Sequence, residues 1–425
     1  TDSGYNTAVG TYSLYNISGT STNYNVAIGY QAGYQTTTGN IAAVGSKSLY
    51  SNTTGSENTA LGREALYSNT TANYNTAVGY QAGYSNTTGG NLTFVGYRAG
   101  FSSTGSYQTG IGFEALNTAT TGNFNTAVGY RAAYLTSTGT DNTAVGHGVL
   151  YNNTTGVSNV AMGADTMRFH TTGSYNTALG TTALYNNTTA SNLVAIGYQA
   201  LYANTTGVSN VAVGYKSLDA NTTGGQNTAV GHGSLGANTT GGSNTVVGQG
   251  ALQSNTTGEI NTSIGRDSMS SNITGSYNVA VGYSALADHT GAGNSYHTAV
   301  GASALENTTT GVRNTAVGYA AGRNITTGNY NTALGFQALQ GNSTTSNGNT
   351  AVGYTSMYST TSGANNTAVG YGSLNANTTG QLNVAIGYDA LVANTTGVQN
   401  TAVGHEALTN AQTASYNTAI GERAG

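Results

Sequence analysis

Asn75-Thr76-Ala77-Val78-Gly79-Tyr80-Gln81-Ala82-Gly83-Tyr84-Ser85-Asn86-Thr87-Thr88-Gly89 is one copy of a pattern that fills the whole chain. Its opening Asn-Thr-Ala-Val-Gly recurs from Asn6–Gly10 to Asn417–Gly421, in 25 recognisable copies. Nineteen of the 24 intervals between the motif glycines are 17 residues, and the others are 16, 18 or 19. A period this short and this regular is the signature of a solenoid, in which one small unit is stacked on its copies. Residues 1–425 are therefore read as a single continuous solenoid without separate domains. The chain begins at Thr1 with no recognisable signal peptide, and both ends fall inside a repeat, as expected of a processed chain or a piece of a longer one.

The unit is numbered here from its first Asn. Two short apolar pieces are visible, Thr-Ala-Val and Ala-Leu-Tyr, the first followed by Gly and the second by Asn-Thr-Thr-Gly. Glycine recurs too often for a helix, and the apolar runs are too short to cover a helical face. Two short strands and two turns per coil fit better. Seventeen residues cannot enclose a core alone, but stacked coils can, each strand pairing with its copy ~4.8 Å away. Twenty-five such coils would form a rod ~120 Å long. The predicted fold is an all-β parallel β-solenoid, or β-roll, of about 25 coils with a 17-residue repeat and two short strands per coil.

The fourth position is apolar throughout (Val9, Ile28, Val78), and the ninth is usually Leu (Leu49, Leu66, Leu184). Both are predicted to form core ladders. The third and eighth are mostly Ala, which implies close approach of another backbone. The second alternates between Thr and Val, two β-branched shapes whose exchange ignores the hydroxyl and so implies partial burial. The first strand is thus apolar on both faces, and such a strand needs a partner on each. An oligomer of parallel chains is expected from this alone. The first-position Asn is predicted to form a buried amide ladder or to cap the opposite turn. Asn-Thr-Thr-Gly is read as the outer, water-facing turn, since length changes cluster near it, at 288–294 and 341–348.

The forms Asn25-Val26-Ala27-Ile28-Gly29 and Asn383-Val384-Ala385-Ile386-Gly387 resemble the head repeats of YadA-like trimeric autotransporter adhesins. The longer form, with Asn-Thr-Thr-Gly after the second apolar piece, is also similar to repeats of bacteriophage tail fibres. The resemblance spans the chain, though this repeat is longer than the adhesin one. It implies a left-handed roll, a parallel homotrimer, and a role in surface attachment.

Composition excludes several function classes. Charged residues make up 6% of the chain and the net charge is −4, so nothing draws nucleic acid or an anionic membrane. No apolar run approaches the ~20 residues that span a bilayer. With no Cys, there are no disulfides and no thiolate metal sites. Three of the six His (His147, His232, His405) take the sixth position, where Tyr is usual, which points to a stacking role rather than metal binding. Arg63-Glu64, Arg266-Asp267 and Glu422-Arg423 read as local surface pairs. No catalytic set, cofactor loop or metal cluster emerges, so the chain is read as non-enzymatic and free of cofactors.

Two surface features remain. Tyr30, Tyr80, Tyr130, Tyr198 and Tyr388 form an aromatic surface ladder at the sixth position, able to give weak repeated contacts to cell-surface glycans or a host surface. Asn52, Asn86, Asn204 and Asn394 open Asn-Thr-Thr sequons and are candidate glycosylation sites on the exposed turn. Simple turn chemistry explains the same residues without modification. The expected function is an extracellular structural fibre at a cell or virion surface, an adhesin head or a tail-fibre shaft. A protomer of a self-assembling filament and an ice-binding solenoid are the alternatives.

Overall fold

The computed structural model describes residues 4–18, 23–291, 293–341 and 344–425. Parts of the three longest length changes lie outside these: 19–22, 292 and 342–343. The chain divides into two compact units, Thr1–Ser209 and Asn210–Gly425. The boundary falls between one repeat and the next, with no change in repeat sequence. Among the described residues twelve strands lie in the first unit, from Thr7–Val9 to Val194–Ile196, and thirteen in the second, from Val211–Val213 to Thr418–Ile420. Nearly all are three residues long. No helix occurs among the described residues. Each unit is a parallel β-solenoid with a repeat of about 17 residues.

Within each unit every strand pairs in parallel with the next, and like positions meet. Thr143 pairs with Val160, Ala144 with Ala161 and Val145 with Met162; in the second unit Val211 pairs with Thr228 and Ala212 with Ala229. The register survives the length changes, with Val279 opposite Thr298 and Thr332 opposite Thr350. Near both insertions an isolated bridge re-forms the ladder, at Ser276–Asn294 and Ile325–Thr344.

One strand per coil forms, not two. The second apolar piece is a chain of turns, because its seventh and ninth residues take left-handed backbone angles: Glu64 at φ 60°, Leu66 at 49°, Gln81 at 54°. The piece is nevertheless tied to both neighbouring coils. The Glu64 N–H donates back to Ser46 at 2.9 Å, and the Leu66 N–H donates forward to Ala82 at 2.9 Å. Left-handed leucine costs about 1–2 kcal/mol. Full burial of its side chain returns about 1.5–3 kcal/mol, and Leu49, Leu66 and Leu184 are fully buried.

The core is narrower than the sequence implied. Away from the end coils, Ala27, Ala77 and the other third-position alanines are buried, as are Ala82, Ala200 and the other eighth-position alanines, whereas Ala8 is exposed and Ala424 half-buried. Strand side chains alternate sides, so with Ala inward the second and fourth positions both point out. Val9 is 56% and Ile28 40% exposed, and Val78 is half-buried. The predicted core ladder therefore holds for Leu49, Leu66 and Leu184 and fails for Val9, Ile28 and Val78. An interior lined by Ala, Asn and Leu leaves little room at the strand's middle position: it takes Val246, which is fully buried, but a ring only where neighbours give way. Phe94 is such a case: it is fully buried at a third position, facing glycines at 83, 100 and 110 where other coils carry Leu or Ala.

Candidate functional surface

The outward side of the strand is a repeated apolar face. Positions two and four bring Thr or Val and then Val, Ile, Leu or Met. Exposed members include Val26, Leu61, Ile111, Met162, Ile196, Val247, Ile264 and Ile386. An aromatic column flanks it at position six. Tyr80, Tyr97, Phe113, Tyr130 and His147 stack in sequence with ring centroids 5.0 to 5.3 Å apart. Tyr319, Phe336, Tyr354, Tyr371, Tyr388 and His405 do the same in the second unit. Coil spacing places like rings at stacking distance, which favours offset parallel pairs. Tyr30 meets Tyr12 edge-on at 6.5 Å, and Tyr198 is exposed in the same register. The histidines at this position stack as expected, His232 on Tyr215 at 5.0 Å and 5°.

A second column follows position ten, through Tyr15, Tyr34, Tyr50, Tyr67, Tyr84 and Phe101. A third was missed in the sequence. The residue just before the first Asn is often aromatic, and these rings flank the other side of the outward face. Tyr5 stacks on Tyr24, Tyr107 on Phe124, and Tyr277 on Tyr296. The signal was present as the recurring Tyr-Asn-Thr or Tyr-Asn-Val at 5, 24, 74, 175, 277, 330 and 416.

Two buried amide ladders hold the coils in register. At position one, the Asn142 backbone N–H and side-chain amide both donate to Asn125 Oδ1, at 3.0 and 3.1 Å, and the amide also donates to the Gly156 carbonyl at 2.9 Å. One residue thus forms the ladder and ties down the opposite turn, so both roles considered for it hold. The second ladder was not expected. It is built from the Asn of Asn-Thr-Thr-Gly: Asn69 donates to Asn52 at 2.8 Å, Asn86 to Asn69 at 3.0 Å, and Asn255 to Asn238 at 2.9 Å. Each also donates to the carbonyl three residues on, as Asn86 does to Gly89 at 2.9 Å.

That ladder overturns the glycan stripe. Asn52, Asn86, Asn204 and Asn394 are fully buried, and Asn204 and Asn394 donate to Asn187 and Asn377 at 3.2 and 3.1 Å. A sugar on any of these amides is incompatible with the folded coil. The segment is not wholly internal, since its second threonine (Thr54, Thr88, Thr155, Thr206) remains exposed. Asn is selected there for an inward amide rather than for an outer turn.

Three histidines replace Asn in the ladders and are buried. His170 Nε2 lies 2.7 Å from the Gly173 carbonyl, with Asn187 2.9 Å from Nδ1. His297 Nε2 lies 2.7 Å from the Gly311 carbonyl. His289 packs edge-on against His297 at 4.9 Å and holds Ser295 at 2.9 Å. Burial pushes His170 and His297 down to about 4 and His289 to about 3. All three are neutral members of the ladders near pH 7.

Charges lie mostly on the surface. Arg63–Glu64 and Arg266–Asp267 pair locally at 3.3 and 3.0 Å. Arg423 instead reaches across a coil to Glu406 at 2.7 Å rather than pairing with Glu422. Among the described residues no group of three His, Asp or Glu side chains could hold a metal ion, and no helix is long and apolar enough to cross a membrane. No family model matches the chain, and no curated protein matches it.

Proposed function

We propose that the chain is a non-enzymatic structural fibre of a cell or virion surface, a shaft or adhesin head whose outward strand face is covered by further copies of itself. The observation that carries this reading is the apolar face of Thr/Val and Val/Ile, flanked by aromatic columns and repeated in coil after coil. Soluble monomers rarely expose a contiguous apolar patch above a few hundred Å². A surface that repeats with the solenoid's own period is best covered by a surface of the same period. Parallel copies of this chain supply that match at no cost in register. Three chains around one axis, each a left-handed roll, is the arrangement the resemblance to adhesin head repeats favours.

In such an assembly the position-ten column stays on the outside, where stacked rings offer weak, repeated contacts to glycans or another surface. Multivalency makes contacts of that kind useful without a deep site. Light scattering coupled to size exclusion, followed by electron microscopy, tests the reading. A fixed trimeric mass and uniform elongated particles support it. Monomers with an uncovered face refute it, and a mass that grows with concentration favours the filament alternative.

A further inference from the structure

One repeat of ordinary length in the second unit departs from the surface pattern. Asn227–Ser243 is the one repeat in the sequence with glycine at both the seventh and tenth positions, Gly233 and Gly236. Elsewhere these positions carry pairs such as Gln81 and Tyr84, Arg131 and Tyr134, or Thr182 and Tyr185. The missing side chains leave a notch of about 340 Å³, lined by Lys216, Asp219, His232 and Gln253 with the methyl groups of Ala220 and Ala237. A Cβ on Gly233 would meet nothing closer than Gln253 at 3.9 Å. The walls are fixed by backbone bonds between coils: Gly233 N–H to Tyr215, Ala220 N–H to Gly236 and Ala237 N–H to Gln253, at 3.0, 3.2 and 2.9 Å.

We propose that this notch binds a single pyranose residue. Lys216 and Asp219 give it one charge of each sign without forming an ion pair within 4 Å, so the net field favours neither anions nor cations. The Lys216 ammonium lies 5.8 Å from the Tyr215 ring centroid, and partial burial raises the Asp219 carboxyl. Lysine donates, aspartate accepts, and the Gln253 amide does both. Hydroxyl groups, each donor and acceptor at once, suit that mixture. The C–H faces of a sugar ring suit the two alanine methyls and the His232 ring. The volume is at the low end for small-molecule sites, enough for one ring and too small for an extended ligand. The proposal stands apart from the fibre reading, since it concerns a local site formed by three neighbouring coils of one chain.

The test uses the intact chain with labelled histidine, titrated with methyl glucoside, methyl galactoside, methyl mannoside and methyl N-acetylglucosaminide while the His232 resonances are followed. At least one glycoside is expected to give a saturable shift with a roughly millimolar Kd. Gly236→Tyr and Gly233→Gln restore side chains that other coils carry, the latter at a backbone angle (φ 61°) close to that of Gln81. Both variants should fold as the parent does and weaken binding at least roughly tenfold, and Asp219→Asn should weaken it as well. The proposal is overturned if no glycoside saturates, if both filled variants bind as well as the parent, or if acetate or phosphate shifts His232 and no sugar does. Scattering mass on the same samples separates these outcomes from failure of the fibre reading.

Discussion

Replacing Phe94 by alanine asks whether the core is set by volume matching between neighbouring coils. Phe94 is fully buried at a position that is almost always Ala. Its ring fills the space vacated by glycines. A Cβ on Gly83 would lie 3.2 Å from Phe94 Cδ2, one on Gly110 3.0 Å from Cδ1, and one on Gly100 would fall on the ring itself. Phe94→Ala alone should therefore cost about 3–5 kcal/mol, the range for emptying a buried aromatic site. Gly100→Leu alone should be destabilising too, by about 1–3 kcal/mol, from overpacking. The double variant restores the Ala and Leu of the common repeat. Burying the new leucine returns about 1.5–3 kcal/mol, against a left-handed backbone cost of about 1–2 kcal/mol that every other ninth-position leucine already bears. The double variant should thus be more stable than either single one. Native-state hydrogen exchange at the Thr93 amide, bonded to Gln108 at 2.9 Å, reads this locally. At about tenfold per 1.4 kcal/mol, Phe94→Ala should speed exchange by roughly 10²- to 10⁴-fold, and adding Gly100→Leu should reverse part of that. If the double variant exchanges as fast as Phe94→Ala, the matching argument is wrong.

Acid should destabilise the coil around His289 and His297. Both are buried neutral with pKa values of about 3 and 4, whereas the unfolded chain titrates near 6.5. Between those values the unfolded state binds more protons, so stability falls as pH drops from about 6.5 toward 4, by roughly 3 kcal/mol for His297. Melts of His297→Asn, which restores the usual ladder residue, should show a flatter pH dependence than the parent. Removing one amide from the second ladder, Asn86→Ala, should cost about 1–3 kcal/mol in thermal or denaturant unfolding, because the Asn69 carbonyl and the Gly89 carbonyl lose a buried donor. Gly79→Ala should be worse than an ordinary surface change, by at least about 1–3 kcal/mol. Its φ of 133° excludes side chains, and a Cβ there meets the Gly96 backbone of the next coil, so circular dichroism should show earlier melting. Val247→Lys with Ile264→Lys, both on the outward face, should leave the melting of the coil itself nearly unchanged while weakening association in sedimentation.

The period, the parallel in-register stacking and the leucine ladder were legible in the sequence, because each follows from spacing alone. The second strand was misread because leucine gives no hint that Leu49 or Leu66 will adopt a left-handed angle. Only burial in the finished coil makes that angle tolerable. Which side of Thr-Ala-Val faces inward was also hidden. Both sides are apolar, and the larger Val draws the eye, yet it is the small side chain, such as Ala27 or Ala77, that the narrow interior takes. The same apolarity is why a partner is expected on the outer face. Asn52 and Asn86 looked like turn residues because Asn before Thr-Thr-Gly is good turn chemistry. Their inward ladder depends on the coil above and below, which no single repeat displays. The notch at Gly233 and Gly236 was in plain view as a departure from the pattern, but its depth depends on what Lys216, Asp219 and Gln253 do around it.

Association through the outward strand face is tested most directly by the mass of the intact chain in solution, from sedimentation equilibrium across a range of concentrations. A single species at three times the 42.7 kDa chain mass is expected, reduced by the paired lysine substitutions at 247 and 264. A stable monomer of 42.7 kDa at every concentration, with that face open to water, would contradict it.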